Sequence, residues 1–399
     1  MRCTQDTGVA FKRRLRIGVA ASGRFHLLDL ARELSLLGAE VQFYSYVPRK
    51  RALEFGLPAK CHVALFPLLF PLVGMERLLP RLFPRLIERL MCWALDMSVI
   101  LRMRRCDIFI CMSGMYVLAA QFAKWKYGAL VHLHRSSRHI LSQREILAHL
   151  PGSTQVSSLM VARELKGYQI ADRIIVPSTH VTESFSKWPE LAHKLFLNPL
   201  GVDINQFPGR IPPPNCPTVI FVGQWSYRKG VDILVEAMRP LSGIRLLHVG
   251  ALSDAPFPDE PKFVHRDHVP QQRLPEFYAA AHVLVLPSRE DGFGVVLSQA
   301  LSSGLLVVCT DRTGGPDLAQ LPGLSRLIWV VGSNDVEALS SALAQAIDAA
   351  TGKTCVAPIT DNERQMLGWN CYARRDLEFM ENCCAQFEDS DDYSDGATT

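Results

Sequence analysis

The residues best suited to chemistry fall in two places in the second half of the chain. The first is the loop Arg289-Glu290-Asp291-Gly292-Phe293-Gly294, set between an apolar run from His282 to Pro287 and a short helical stretch from Val295 to Ser302 ended by Gly304. A second β-branched run, Leu305 to Thr310, and a glycine turn at Gly314 and Gly315 follow. This pattern predicts a βαβ unit with its acidic residues at the carboxyl end of a strand, the edge at which doubly wound sheets bind ligands. Carboxylates there can hold hydroxyl groups, and the free N–H groups of a helix start attract anions. The chemistry implied is the binding of something polyhydroxylated and phosphorylated.

The second place is the turn Gly223-Gln224-Trp225-Ser226-Tyr227-Arg228-Lys229-Gly230, which leads into a helix from Val231 to Met238. Two cations at a helix start suit a pyrophosphate, because point charge adds to the helix N–H donors. A solvated turn is the plainer reading. In the first half, His132, His134, Arg135, Ser136, Ser137 and Arg138 crowd the end of a strand from Ala129 to Leu133. Singly, each would be a surface residue or a core histidine, and it is their clustering that suggests a site.

The elements that must position these groups are read from apolar periodicity. Leu15 to Ala20 predicts a strand, Ala21-Ser22-Gly23 a small turn that lets backbone approach a ligand, and His26 to Leu37 a helix capped by Gly38. Strands follow at Val41 to Tyr46, Asp107 to Met112, Ala129 to Leu133, Ala171 to Ser178 (a strand with a turn) and Leu195 to Pro199. Residues 209–217 are proline-dense and serve as a linker. A second series of strands begins at Thr218 to Val222 and continues at Arg245 to Gly250, Lys262 to Val264, His282 to Leu286, Leu305 to Thr310 and Trp329 to Val331. The expected organisation is a flexible N-terminus at 1–14, an α/β domain at 15–208, a second at 218–368, a helix at 369–387 packing back towards the first, and a disordered acidic tail at 388–399.

Composition narrows the function classes. With 399 residues, 48% hydrophobic, the chain can form two cores, and a net charge of +4 gives no case for nucleic acid. The 11 cysteines include no C-x-x-C pair, so neither a disulfide framework nor a zinc site is indicated. No signal peptide and no membrane-spanning run is apparent, and a cytoplasmic protein is expected. The first turn lacks G-x-G-x-x-G, which argues against a dinucleotide-dependent oxidoreductase.

Residues 63–105 stand apart. Arg77, Arg81, Arg85 and Arg89 recur every four residues beside Leu78, Leu82, Phe83, Leu86 and Leu90, so they would share one helix face. Residues 75–105 thereby read as a basic amphipathic segment able to dock on anionic lipid at the inner face of a membrane. An ordinary core-facing helix with a solvated basic side fits as well, and Pro80 and Pro84 interrupt any long helix.

Taken together, Gly23 with His26, IADRIIVPS at 170–178, PLGVDINQF at 199–207, the RKG turn at 228–230 and SREDGFGVVLSQALSSGLLVVCTDRTGG at 288–315 resemble family 4 glycosyltransferases of the GT-B fold over nearly the whole chain. The resemblance implies two Rossmann-like domains facing across a cleft. It also implies a retaining enzyme that moves a sugar from a nucleotide-sugar donor to a saccharide or lipid-linked acceptor in polysaccharide, lipopolysaccharide or glycolipid synthesis. Lys229 would hold the donor diphosphate with Arg228, because Gln224 stands where the family usually has its other cation after Gly223. Asp291 would bind donor-sugar hydroxyls, with Glu290 beside it, and Gln299 the ribose. Gly294 and Val295 would offer N–H groups to phosphate within the Gly292-Phe293-Gly294 loop, Gly23 would close on the same group, and His134 would touch the sugar. Asp291 and Gln299 replace two glutamates, so a glycosyltransferase-like protein that binds without turnover is the alternative. No D-x-D pair stands out, and neither a metal nor a cofactor is expected.

Overall fold

The computed structural model describes residues 14–23, 25–65, 84–152, 156–209, 216–352 and 356–395. The apolar runs become two parallel sheets. The first orders its strands β3-β2-β1-β4-β5-β6-β7, with β1 Arg16–Ala20, β2 Glu40–Ser45, β3 His62–Ala64, β4 Ile108–Met112, β5 Leu130–His134, β6 Arg173–Val176 and β7 Leu195–Leu197. The second orders its strands β10-β9-β8-β11-β12-β13, with β8 Thr218–Val222, β9 Arg245–Val249, β10 Phe263–Arg266, β11 Val283–Leu286, β12 Leu306–Thr310 and β13 Ile328–Val331. Strands β8 and β12 are buried at every position, which is why their sequence is continuously apolar rather than alternating.

In each sheet the order reverses once, between β1 and β4 and between β8 and β11. Ligands of doubly wound sheets bind outside the carboxyl ends of the strands at such a reversal. The turns read from sequence as chemical sit there: Ser22-Gly23 after β1, Gly223-Gln224 after β8 and Glu290-Asp291 after β11.

Residues 199–207 and 364–375 tie the two halves together. The Val202 N–H donates to the Leu367 carbonyl at 2.8 Å, and the Val202 carbonyl accepts from the Trp369 N–H at 3.2 Å. Arg364 donates to the carbonyls of Ser302, Ile204 and Phe207, and Arg375 to Asn198 and Pro199. Guanidinium groups suit this work because their five donors can satisfy several carbonyls at once. The chain then enters helix Trp369–Asp395, whose Trp369, Tyr372, Ala373, Leu377 and Met380 join the core formed by β1, β2 and helix His26–Leu36.

Three readings fare differently here. The last helix runs to Asp395, past Phe387, where a disordered tail was expected to begin; once a helix is nucleated, extension fixes one residue per bond gained. The basic segment forms helix Pro84–Arg102, beginning at the proline that interrupts the pattern, which suits a first helical turn. Arg85 and Arg89 lie on it; Arg77 and Arg81, most of the linker and the expected flexible N-terminus lie outside the described residues. No helix among the described residues is long and apolar enough to cross a membrane.

A Cβ at Gly201 would fall 2.7 Å from the Cα of Trp369 and 2.8 Å from its ring. Gly201→Ala should therefore destabilise the crossing by roughly 1–3 kcal/mol, the usual cost of overpacking. Gly332→Ala, whose Cβ meets nothing within 4 Å, should be near neutral. Thermal unfolding of the two variants side by side checks this; equal melting temperatures would refute it.

Candidate functional site

The site is assembled by two turns pressed together. Gly230 adopts φ +69°, and a Cβ there would sit 2.0 Å from the carbonyl oxygen of Pro287. Only glycine allows that backbone and that approach. The turn after β8 thus lies against the exit of β11, and the Arg289 N–H donates to the Arg228 carbonyl at 3.0 Å. The contact places two cations opposite two carboxylates. Lys229 Nζ donates to Asp291 Oδ2 in a short ion pair, and Arg228 Nη1 donates to Glu290 Oε2 at 3.0 Å.

Burial pushes the Asp291 carboxyl up, but Lys229, Arg228 and the Phe293 N–H outweigh it and hold it below the usual carboxylate range. Asp291 is therefore ionised at neutral pH. Glu290 is wholly buried, and its second oxygen accepts from Ser137 Oγ of the first domain at 2.5 Å. Two more contacts join the domains here. Ser178 Oγ donates to the Gly292 carbonyl at 2.6 Å, and a Cβ on Gly292 would lie 1.7 Å from the Ser136 carbonyl oxygen. Gly292 is thus required for backbone-to-backbone closure.

Helix Val295–Ser302 starts after Gly294, at φ +77°, and no side chain caps it, so its leading N–H groups are available to an anion. Gln299, on the same helix, is buried and accepts from the Tyr278 hydroxyl at 3.0 Å, leaving its amide nitrogen to donate. Phe293 was placed among the binding residues, but its side chain is in the core of the second domain, against Gly314, where the surrounding apolar surface holds it. Gln224 is exposed and bonded to Ser253, apart from the cation pair. Gly223 keeps an extended positive φ of 144°, and its carbonyl accepts from His248. Gly23 would tolerate a Cβ, with Tyr46 Oη at 3.5 Å, so packing alone does not demand glycine there.

His134 is the main correction. Residues two apart on a strand face the same side of the sheet, and His132 and His134 both turn towards helix Trp369–Asp395 instead of opening on the cleft. His134 is 1% exposed; its Nδ1 lies 3.2 Å from His26 Nε2, and its Nε2 lies 3.9 Å from Asp376. Burial, then His26 and His132, push its pKa well down, so it is neutral. Arg135 is likewise structural, paired with Glu164 at 2.8 Å and donating to Gln143 and the Arg138 carbonyl. Sequence reading missed Asp376 and the contacts of Ser137 and Ser178, all of which depend on residues distant in the chain. Beside the Asp291 loop, a cavity of about 640 Å³ opens between the domains, lined by Arg138, Ser142, His149, Arg289, Arg312 and Asn334.

These features define a two-domain protein in which two cations, two carboxylates and an uncapped helix start meet at the carboxyl edge of its second sheet. Residues 216–349 match the family model described as glycosyl transferases group 1. O-antigen chain mannosyltransferase B of Escherichia coli is 39% identical over 80 residues, 20% of this chain and 20% of that protein. The sulfoquinovosyl transferase of Arabidopsis thaliana is 24% identical over 221 residues, 51% of this chain and 43% of that protein. The matches thus span less than half the length of either relative. A solved structure of Anabaena HepE in complex with UDP superposes with a TM-score of 0.63 over 92% of this chain and 100% of that one, at 15% identity. That likeness is one of fold. The family match thus falls within the second domain, and the whole chain has the GT-B architecture.

Both oxygens of buried Asp376 lack a hydrogen-bond partner among the described residues, and burial raises its pKa from 3.8 to about 7. A raised folded-state pKa means stability that is full below the unfolded value and lost as pH climbs through the folded one. Asp376→Asn should match the parent in melting temperature near pH 4, gain on it progressively between about pH 4 and 7, and keep that advantage at higher pH. A parent at least as stable as the variant near pH 9 would show that Asp376 is not a buried acid.

Proposed function

We propose that the chain transfers a sugar from a nucleotide-sugar donor to an acceptor hydroxyl, with retention of configuration. The observation that carries the reading is the four-charge cluster of Arg228, Lys229, Glu290 and Asp291 beside the uncapped start of helix Val295–Ser302. A diphosphate supplies the negative charge for which both cations and the helix N–H groups are arranged. On binding it replaces the carboxylates as partner of Lys229 and Arg228, and Asp291 becomes free to accept from sugar hydroxyls. Gln299 then takes the ribose through its amide. The names of the relatives, a mannosyltransferase and a sulfoquinovosyl transferase, agree with this class.

In the reaction the bond from the sugar's anomeric carbon to the diphosphate oxygen breaks, and negative charge grows on the leaving group. Lys229, Arg228 and the helix N–H groups, already oriented, stabilise that charge. The acceptor oxygen bonds to the same face of the sugar, and its proton passes to the departing diphosphate, so charge and atoms balance without a further base. Because protein cations do the electrostatic work, turnover should survive a chelator. The cavity between the domains has room for an acceptor beside Asp291. We place the activity in surface polysaccharide, lipopolysaccharide or glycolipid synthesis at the cytoplasmic face of a membrane, with the segment 75–105 meeting anionic lipid.

Lys229→Ala should lower kcat/KM by about a hundredfold or more, the usual loss for one preorganised charge-stabilising group. Gln299→Ala should mainly weaken donor binding. Titration of a nucleotide-sugar panel, followed by assay of nucleoside diphosphate release with saccharide and lipid-linked acceptors, tests both. Tight binding without release under every acceptor would leave a binding protein and overturn the transferase reading.

A further inference from the structure

Helix Pro84–Arg102 carries an apolar stripe that stands exposed among the described residues. Leu86, Trp93 and Leu101 are 54%, 56% and 75% exposed, and Leu90 and Met97, half-buried, lie between them at helical spacing. The structure sets a second helix, Val117–Tyr127, against it: the Ala119 N–H donates to Asp96, and the Tyr127 hydroxyl to the Met103 carbonyl. That neighbour exposes Leu118 at 38% and Trp125 at 79%, with Lys126 lying 6.0 Å over the Trp125 ring. The exposed cations Arg85, Arg89, Arg102, Arg104 and Arg105 form no ion pair among the described residues.

Solvent-facing tryptophans on a soluble fold are costly unless something covers them. Unpaired arginines around them specify what: a partner that is anionic at its surface and apolar beneath. Tryptophan favours such a boundary because its ring is apolar and its N–H polar, and arginine stems can lie along the apolar layer while the head groups meet phosphate. We infer that the two helices together form the plate by which the protein docks on an anionic lipid bilayer, with Trp93 and Trp125 inserted at the interface. This rests on the membrane placement above but enlarges it, since helix Val117–Tyr127 lies outside the basic segment visible in sequence.

The plate has a direction. In a parallel βαβ unit the helix returns antiparallel to its strands, so the Leu86 and Leu118 ends lie towards the carboxyl edge of the sheet and the cleft. Leu101, Trp125 and Arg102 to Arg105 lie at the far end. A chain docked by this face would present the cleft side to a lipid-linked acceptor held in the same bilayer.

The full chain should float with vesicles of phosphatidylcholine and phosphatidylglycerol but not with phosphatidylcholine alone, and high salt should release it. Trp93→Ala with Trp125→Ala should lower vesicle affinity at least tenfold at every salt concentration. Gln in place of Arg102, Arg104 and Arg105 should cost about fivefold per cation near an anionic surface, and only at low salt. Melting temperature and UDP binding, followed in parallel, should not change in either variant, which separates failure of this face from failure of the donor site. Three results would overturn the proposal: no flotation with the mixed vesicles, flotation unaffected by the double tryptophan variant, or self-association in sedimentation velocity that this variant abolishes while vesicles remain unbound. Protection of both tryptophans from aqueous iodide without vesicles would do so too, showing that the chain itself covers the face.

Discussion

The close approach of Gly230 to the carbonyl of Pro287 is the constraint on which the site depends. A side chain at 230 would force the turn after β8 away from the exit of β11, and the separation would divide Lys229 from Asp291 and Arg228 from Glu290. Charges that are partly or wholly withdrawn from water are tolerable only when paired, and removing one partner leaves the other stranded. The free protein therefore satisfies its cations internally with the same carboxylates that a bound donor would release for other work. A ligand must offer at least as good a partner, and a diphosphate carrying several strong acceptor oxygens does so where a neutral sugar could not. On the function proposed above, this exchange would select for the phosphorylated end of the ligand before any sugar contact is made.

Glu290 and Asp291 are neighbours in sequence with different tasks. Asp291 faces Lys229 at the edge of the site, whereas Glu290 is buried between Arg228 and Ser137 and belongs to the seam between domains. The seam continues through Ser178 and Gly292, whose missing Cβ permits backbone contact across it. A change in the partner of Arg228 thus acts on a group that also holds the other domain. On the function proposed above, donor occupancy and domain position would be coupled through this one carboxylate.

Much of this was legible in the sequence because the signals are local. Strands β8 and β12, buried on both faces, read as uninterrupted apolar runs; helix Val295–Ser302 is bounded by Gly294 and Gly304; and Arg228 and Lys229 beside Gly230 stand out as cations at a helix start through residue type alone. What could not be read depends on pairings between distant segments. Ser137 meets Glu290 across 153 positions, and Arg364 reaches carbonyls about 160 positions away, so no period or motif announces them. Short elements were also missed: β3, three residues long, contains no repeat to detect. The Arg85 and Arg89 face was visible as a basic stripe, but whether its leucines were core or surface required knowing which neighbours packed against it.

His134 shows how local logic misleads when a third layer is added. A histidine at the end of a sheet strand beside a cleft is reasonably read as a ligand contact if only the sheet is considered. The chain, however, sends helix Trp369–Asp395 from the second domain back over the first, and the face of β5 bearing His132 and His134 is the one it covers. There the imidazole becomes part of a buried polar cluster with His26, Tyr372 and Asp376. Such a cluster is less stabilising than an apolar one of equal volume, because Asp376 finds no hydrogen-bond donor. Its position gives it meaning all the same: it lies where the last helix grips the first domain, while Trp369 at the start of that helix is bonded to Val202 between the domains. The grip therefore depends on protonation at an element that physically links both halves of the chain.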